Sequence, residues 1–320
     1  MSRLLFYLLF VLSLASCDIF ENEQPAIPGK IVFSMPDNSD EAYHQIFVMN
    51  TNGNELKQLT FFDQNSAFQP SWSPDASRIV FTTTLKSFVG GTSIYIMDAD
   101  GSNIQPMKLS SEAIFALSGS HPTWSPDGNK IAFHSCACEI GTRISDIFVY
   151  DLETDSVSQI TDHPSWNAFP SWSPDGNQIA FTSNRDYLNE GENRLTQDLY
   201  VVSIGTSKIT KVTDNGNISG WAWIPYSSKV LIGSNLKPFK WYSVDVSSSA
   251  IDSNFHLNED PEISRYRPIK WSHQGRILMT LSVTSELTLY FYNKEEDILT
   301  KGTIMENTLG FDWYFNDSFN

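Results

Sequence analysis

Short apolar runs separated by polar turns recur along most of the chain. Three of them have nearly the same composition and each follows a turn with Pro and Asp: residues 78–81, 130–133 and 178–181. A second set of apolar runs ends at polar turns that contain Asn-Gly or Asp-Gly in two places: residues 45–49, 93–97, 146–150 and 198–202. Short runs bounded by turn residues are typical of β-strands, and Asn-Gly or Asp-Gly is typical of a hairpin. The pattern predicts an all-β protein.

One motif opens the predicted strand sets at a regular spacing. Trp-Ser-Pro-Asp stands at residues 72–75, 124–127 and 172–175, at intervals of 52 and 48 residues. Pro presets the backbone of a tight turn, and a following Gly can take the left-handed position. A repeat of roughly 40–50 residues with several strands is typical of a propeller blade. One such unit cannot bury its own apolar face, so neighbouring units must stack.

Weaker copies extend the set to six units. Trp223 and Trp271 mark two of them, while the first unit starts at residues 30–33 without a Trp strand of its own. We expect residues 310–315, which contain Trp313, to supply that strand. The prediction is a single six-bladed β-propeller of four-stranded blades over residues 28–319, its ring closed by the C-terminal strand. Closure would remove the exposed sheet edges that promote aggregation.

These residues resemble the TolB-type, WD-like β-propeller repeat family. The family pattern is Trp-Ser-Pro-Asp-Gly, then Ile-Ala-Phe, then Asp-Ile-Tyr-Val-Met-Asp, then Gln-Leu-Thr. The chain carries its versions of this pattern across about residues 28–319. The resemblance implies the propeller fold. It implies little about function, because the matched residues are turns and core and one fold hosts many functions.

The N-terminus has the pattern of an export signal. Arg3 precedes an apolar stretch over residues 4–14, and small residues lead to Cys17. This predicts a signal peptide over residues 1–16, too short to span a membrane. Residues 14–17, Leu-Ala-Ser-Cys, resemble the bacterial lipobox, which implies that Cys17 is lipidated with acyl chains such as palmitate. The alternative is ordinary secretion with an incidental Cys. Residues 17–27 are acidic and are predicted to form a tether.

Charge restricts the classes of partner. The 320 residues include 21 Lys and Arg against 37 Asp and Glu, a formal net charge of −16. Removal of the signal peptide, with Arg3 as its only charged residue, leaves 20 basic against 37 acidic residues, or −17. Such a surface disfavours nucleic acid and anionic lipid headgroups, so attachment should depend on the acyl chains. We expect a lipid-anchored protein of the bacterial cell envelope, on the periplasmic or surface side, with the choice of inner or outer membrane open.

Motifs for catalysis are missing from the sequence. It has no Gly-x-Ser-x-Gly, no His-Glu-x-x-His and no phosphate-binding Gly loop, so we expect no enzyme activity, cofactor or metal. Residues 98–103 hold acids, but their Gly is at position four of a calcium loop rather than six, which predicts a hairpin turn.

One cysteine pair leaves several interpretations open. On an extended strand His134, Cys136 and Cys138 would share a face and could bind a metal. An even pair of Cys in an oxidising compartment favours a Cys136–Cys138 disulfide, although a bridge across one residue is strained. Free thiols are the third interpretation.

The connections between strands predict where binding takes place. The Ser-Pro-Asp turns are short and lie on one side, whereas the long, variable connections lie on the other, as is typical of a binding face. We expect the candidate partner-binding residues to lie in these connecting loops: His121, His163, Trp166, Tyr187, Tyr266 and Arg267. Aromatic and Arg side chains anchor protein partners, and the aromatic ones could also stack on sugars. Alternatively these residues only cap the blades.

The sequence therefore predicts a non-enzymatic, lipid-anchored scaffold for an envelope protein. The alternative is a carbohydrate-binding or metal-dependent carbohydrate-cleaving propeller that uses the same face, so a glycan is a possible partner. We also expect Lys270 and Asp312, each one position before the Trp of adjacent blades, to be able to pair.

Overall fold

The protein is all-β in the part that the structure describes. This computed structural model describes residues 29–37, 40–51, 53–85, 91–107, 118–136, 144–187, 196–214, 216, 218–234, 241–252, 266–271, 277–283, 287–293, 298–305 and 311–314. Within these ranges the chain forms 24 strands and one short 3₁₀ helix, Arg185–Tyr187. None of the helical structure in these ranges has the length and apolar character needed to cross a membrane.

The strands of the described residues form six four-stranded antiparallel sheets. Sheet 1 contains, in spatial order, β24 (Phe311–Tyr314), β1 (Lys30–Asp37), β2 (Asp40–Asn50) and β3 (Lys57–Gln58). Sheet 2 contains β4 (Ala67–Trp72), β5 (Arg78–Thr83), β6 (Ser93–Asp98) and β7 (Gln105–Pro106). Sheet 3 contains β8 (Ser118–Trp124), β9 (Lys130–Cys136), β10 (Asp146–Asp151) and β11 (Ser156–Gln159).

The other three sheets repeat this order. Sheet 4 contains β12 (Asn167–Trp172), β13 (Gln178–Ser183), β14 (Asp198–Ser203) and β15 (Ile209–Lys211). Sheet 5 contains β16 (Ile218–Trp223), β17 (Lys229–Ser234), β18 (Trp241–Asp245) and β19 (Ile251–Asp252). Sheet 6 contains β20 (Tyr266–Trp271), β21 (Ile277–Val283), β22 (Leu287–Asn293) and β23 (Ile298–Met305).

The Ser-Pro-Asp motif forms the predicted turn between the first and second strands. In sheet 2 the Asp75 carboxylate accepts hydrogen bonds from the Ser73 hydroxyl at 2.6 Å and the Ser77 N–H at 3.1 Å. The same two bonds recur at the equivalent Asp of sheets 3 and 4. Gly128 and Gly176 take the left-handed conformation with φ of 72°. These bonds hold each turn closed, so the turn is defined by residues close in sequence.

The apolar core lies between consecutive sheets. Ile131 and Phe133 of β9 pack with Trp124 against sheet 2, whereas Ala132 faces Trp172 of sheet 4. This alternation follows from the period of two along a strand. The Trp124 indole also donates to the Ser71 carbonyl of sheet 2 at 3.2 Å. Trp124 therefore joins sheet 3 to sheet 2, and the Trp223 indole makes the same bond from sheet 5 to the Ser171 carbonyl of sheet 4.

The strand nearest the C-terminus completes sheet 1, as predicted. β24 pairs with β1 from Lys30 opposite Tyr314 to Phe33 opposite Phe311. Asp312 of β24 is 8% exposed and accepts hydrogen bonds from the Trp72 N–H at 2.8 Å and the Ser71 hydroxyl at 3.1 Å. This strand thus links sheet 1 to sheet 2. The side chain of Lys270, the partner expected for Asp312, lies outside the described atoms.

A buried hydrogen bond recurs where the third strand meets the fourth. The Thr213 hydroxyl donates to the Asp198 carboxylate at 2.8 Å and accepts from the Leu199 N–H at 2.9 Å. The same arrangement joins Thr161 to Asp146 in sheet 3, and Thr60 to Gln45 in sheet 1. In each pair the Thr is 15 residues after its partner. The bond satisfies polar groups that the neighbouring strands bury.

Candidate functional site

A β-bulge interrupts the first strand of sheets 2, 3 and 4. The ladder shifts between Phe68 and Ser71 in β4, and at the equivalent positions of β8 and β12. The bulge residue precedes a Pro and has a positive φ: 55° at Gln69, 52° at His121 and 55° at Phe169. A bulge re-aims the side chain it carries, and positive φ is uncommon outside Gly. Three such positions in successive sheets are typical of a functional region.

Gln69 and His121 are joined by two hydrogen bonds. The Gln69 Oε1 atom accepts from the His121 backbone N–H at 2.9 Å and from the Thr82 hydroxyl at 3.1 Å. The Gln69 Nε2 atom lies 2.9 Å from His121 Nε2. Because the amide nitrogen donates, His121 Nε2 must accept, which places the ring proton on Nδ1. That Nδ1 atom is buried and has no hydrogen-bond partner among the described residues.

Four rings meet at the same place. The His121 and His134 rings stack with centroids 4.9 Å apart and an interplanar angle of 23°. Phe169 meets the His121 ring edge-on at 4.5 Å, and Trp166 meets the His134 ring at 5.8 Å. We call Gln69, His121, His134, Trp166 and Phe169 the His–aromatic cluster. His134 is 5% exposed and Phe169 is 41% exposed, so the cluster has a buried side and an open side.

Both His rings of the cluster are neutral at pH 7. Burial lowers the pKa of His134 to about 4. Burial, and to a smaller extent the neighbouring His134, holds the pKa of His121 well below its usual range. His134 Nδ1 accepts a hydrogen bond from the Phe169 N–H at 3.4 Å. A general base works best with a pKa near the working pH, so neither ring suits proton transfer near neutrality.

The structure brings two of the six candidate residues, His121 and Trp166, into this cluster. His163 precedes Trp166 in the connection before β12, where its carbonyl accepts from the Ser165 N–H at 2.6 Å. The placement of His121 in a loop is wrong, because it lies within β8. Strand pairing continues past the bulge, where Pro122 needs no ladder hydrogen bond.

Tyr266 and Arg267 were also wrongly placed in a loop. They pair with Ser282 and Leu281 as part of β20, because the ladder begins well before Trp271. Their side chains lie outside the described atoms, as does that of Cys136. Cys17, Cys138, the signal peptide and the tether fall outside the described residues, so their interpretations stay predictions.

Tyr187 lies apart from the cluster and has a structural contact. It ends the 3₁₀ helix and donates a hydrogen bond to Asp198 Oδ2 at 2.7 Å. Burial and this bond to Asp198 raise the pKa of Tyr187 to about 12. Asp198 is fully buried and also accepts from Thr213 and from the Gly216 N–H at 2.9 Å. Lys211 Nζ lies 3.3 Å from the same carboxylate.

Replacing Asp198 with Ala should strongly destabilise the protein. The change leaves the Tyr187 and Thr213 hydroxyls and a backbone N–H without their acceptor, and it removes a buried anion beside Lys211. We expect a loss of about 3–5 kcal/mol in the free energy of unfolding, measured by chemical denaturation. Asp214→Ala is the matched control, because Asp214 also pairs with Lys211 but its side chain is 90% exposed. Equal effects of the two changes would contradict this account.

Comparison with known proteins defines the class of this fold. The model of the TolB beta propeller domain family matches residues 92–307, more than half of the chain. The chain belongs to that family.

Individual relatives agree with this assignment. The Tol-Pal system protein TolB of Coxiella burnetii is 29% identical over 124 residues, which cover 37% of this chain and 26% of that protein. The structure of TolB from Acinetobacter baumannii superposes with a TM-score of 0.64 at 16% identity, over 89% of this chain and 66% of that one. An oligogalacturonate lyase in complex with manganese superposes with a TM-score of 0.54 at 13% identity, over 88% of this chain and 75% of that one. At such identities the structural likeness concerns the fold alone.

Proposed function

We propose that this protein is a lipid-anchored, non-enzymatic propeller that binds a protein partner at the bacterial cell envelope. The partner would contact the side of the molecule that carries the His–aromatic cluster. In this proposal the six sheets are six blades, and β24 closes the ring. The pairing of β24 with β1 and its contact with β20 of sheet 6 support closure.

The open side of the His–aromatic cluster carries the proposal. Phe169 is 41% exposed, although the rings that it meets are more deeply buried. It lies on a paired strand, and half-buried Trp166 lies just before the same strand. Aromatic side chains held rigidly in this way can give a large contact area at low entropic cost and dominate the energy of many interfaces. The relative from Coxiella burnetii is a Tol-Pal system protein, which supports an envelope protein as the partner.

The neutral rings support a role without catalysis. No group of three or more His, Cys, Asp or Glu side chains that could hold a metal occurs among the described residues. The alternative function is carbohydrate binding or metal-dependent carbohydrate cleavage on the same side. The fold that this chain shares with the oligogalacturonate lyase supports this alternative. Metal analysis of the purified protein separates the two, because a stoichiometric divalent metal would favour the alternative. Cross-linked capture from native membranes by wild-type protein and by cluster variants tests the binding role.

Replacing Cys17 with Ala should release the protein from membranes. If Cys17 carries the lipid, nothing else should hold the mature chain there, because a net charge of −17 is repelled by anionic headgroups. We expect the variant in the soluble fraction after ultracentrifugation, with the wild type in the membrane fraction. Cys136→Ala, which leaves the lipobox intact, is the control and should stay with the membranes. A Cys17→Ala protein that sediments with membranes at high salt would overturn the anchor.

A further inference from the structure

The two buried His rings are held by hydrogen bonds that only neutral rings can accept. His121 Nε2 accepts from the Gln69 amide, and His134 Nδ1 accepts from the Phe169 N–H. The Gln69 amide is fixed in this orientation, because its oxygen accepts from the His121 N–H and the Thr82 hydroxyl. Rotation of the amide by 180° would break both of these bonds. Protonation places a hydrogen on the accepting nitrogen and converts it to a donor. Each bond is therefore lost when its ring is protonated.

No described anion lies in hydrogen-bond contact with either ring to compensate a positive charge. Gln69 of β4 and Phe169 of β12 contact the rings, and Thr82 of β5 bonds to Gln69; all three side chains are neutral. On β10 the carboxylate of Asp146 accepts from Thr161 at 2.7 Å and from Asn167 at 3.0 Å. Among the described residues of the neighbouring strands and connections, other charged or titratable residues bond to groups outside the two rings: Arg185 donates to Asn167 and Ser183, Asp312 accepts from Ser71 and Trp72, and the His163 carbonyl accepts from Ser165.

We propose that His121 and His134 form an acid-sensitive latch that holds the aromatic residues of the cluster in place. The proton would come from solvent and bind His134 Nδ1, which breaks the bond to the Phe169 N–H. Because the ring centroids are 4.9 Å apart, a positive charge on one ring disfavours a positive charge on the other. The two rings therefore separate before both are protonated. Opening frees Phe169 and Trp166 from the rings they pack on. The acid response of the two His rings does not depend on the proposed function, whereas regulation of partner binding by this response rests on it.

Burial of His134 determines whether acid raises or lowers the stability of the fold, and over which pH range. A His in the unfolded chain titrates near pH 6.5, while burial lowers the pKa of His134 to about 4. The unfolded state therefore binds more protons between these values, and the folded state loses stability as the pH falls through them. From His134 alone the folding equilibrium constant should fall up to about tenfold per pH unit. Hydrogen bonds from Ser73 and Ser77 hold the pKa of Asp75 at about 2, so the loss of that turn's contribution comes at lower pH.

The chain offers conservative variants that cannot titrate. In His134→Asn the amide oxygen can take the place of Nδ1 as the acceptor for the Phe169 N–H. In His121→Gln the amide oxygen can take the place of Nε2 as the acceptor for Gln69. Wild type, the two single variants and the double variant would each be unfolded with denaturant at pH 7.5, 6.5, 5.5 and 4.5. Hydrogen exchange of the segment 164–172, corrected for the intrinsic rate, reports on the latch itself.

We expect the folding equilibrium constant of the wild type to fall by about 40-fold between pH 6.5 and 4.5, which is the change for one His that titrates near pH 6.5 when unfolded and at about 4 when folded. The double variant should lose most of that dependence, and exchange protection of segment 164–172 should fall in the wild type only. The same acid profile in wild type and double variant would overturn the latch. If the double variant does not fold, His ring titration by NMR in the wild type decides: a midpoint below 5.5 for His134 supports the latch, and one at or above 5.5 overturns it.

The latch and the proposed function fail separately. Exchange and unfolding are measured without a partner, so an unaltered acid profile in the variants would remove the latch and leave partner binding standing. Failure of the wild type to capture any envelope protein at pH 7.5, with the acid transition present, would remove the binding role and leave the latch.

Discussion

Truncation after Asn307 should abolish cooperative unfolding and drive the protein into aggregates. The truncation removes β24, whose four residues pair with β1. It also removes Asp312, the acceptor for the Trp72 N–H and the Ser71 hydroxyl of sheet 2. Sheet 1 would then expose an unpaired edge and apolar faces, which template association between chains. The measurement is denaturant unfolding followed by two probes, together with size-exclusion chromatography.

Two matched variants separate the strand from the residues beside it. Truncation after Tyr314 keeps all of β24 and should leave the protein soluble and cooperative. Asp312→Ala keeps the strand but leaves a buried N–H unpaired, and should cost about 1–3 kcal/mol without aggregation. A soluble, cooperatively unfolding protein that ends at Asn307 would contradict the proposal that this strand closes the ring.

The blade pattern was predictable because its determinants are local or repeat at a fixed spacing. Ser73, Asp75 and Ser77 form their turn within five residues, so the motif alone specifies the bonds. The source of the strand in sheet 1 was predictable from counting Trp positions, since one unit lacked its own. The period of two along a strand also explains why Ile131 and Phe133 pack on one side of their sheet and Ala132 on the other.

The His–aromatic cluster was not predictable, although the sequence held a signal for it. Gln69, His121 and Phe169 occupy the same repeat position at intervals of 52 and 48 residues. They differ in chemistry, and together they form no ligand set, so the position gave no motif. Their meeting depends on bulges, and the direction of a bulged side chain depends on tertiary contacts rather than on sequence period. His134 lies on β9, which is next to the strand β8 that carries His121 in sheet 3.

A tertiary hydrogen bond explains why Tyr187 differs from its predicted role in partner binding. Tyr187 stands in a connection, which predicted a free binding residue, but its hydroxyl reaches the buried Asp198 carboxylate. The 15-residue spacing from Asp198 to Thr213 is present in the sequence and recurs in two other sheets. That spacing could have marked Asp198 as a structural acceptor. The hydrogen bond from Tyr187 to Asp198 could not be derived from their spacing in the sequence.

Replacing Phe169 with Gln and Trp166 with Ala should abolish partner capture and leave the protein folded. Gln is the residue that Gln69 supplies at the equivalent bulge, with the same φ of 55°, so the backbone should accept it. Interface aromatics contribute about 2 kcal/mol or more each, so the double variant should bind about a thousandfold more weakly. Tyr187 stays unchanged in this variant because of its bond to Asp198.

The matched control lies at the opposite end of the same strands. Asp75, Asp127 and Asp175 hold the turns after β4, β8 and β12, whereas Trp166 precedes β12. Changing these three Asp residues to Ala should weaken the turns, and with them stability, without reducing capture by the folded protein. The two sets of variants therefore separate the two faces of the molecule.

Cross-linked capture from native membranes by wild type, the Phe169 and Trp166 variant, and the Asp variant tests the binding face directly. All three proteins are first shown to be folded by their unfolding transitions at pH 7.5. The account predicts one cross-linked partner for wild type and the Asp variant, and none for the Phe169 and Trp166 variant. Capture that persists in the Phe169 and Trp166 variant and disappears in a folded Asp variant would contradict it and assign binding to the turn side.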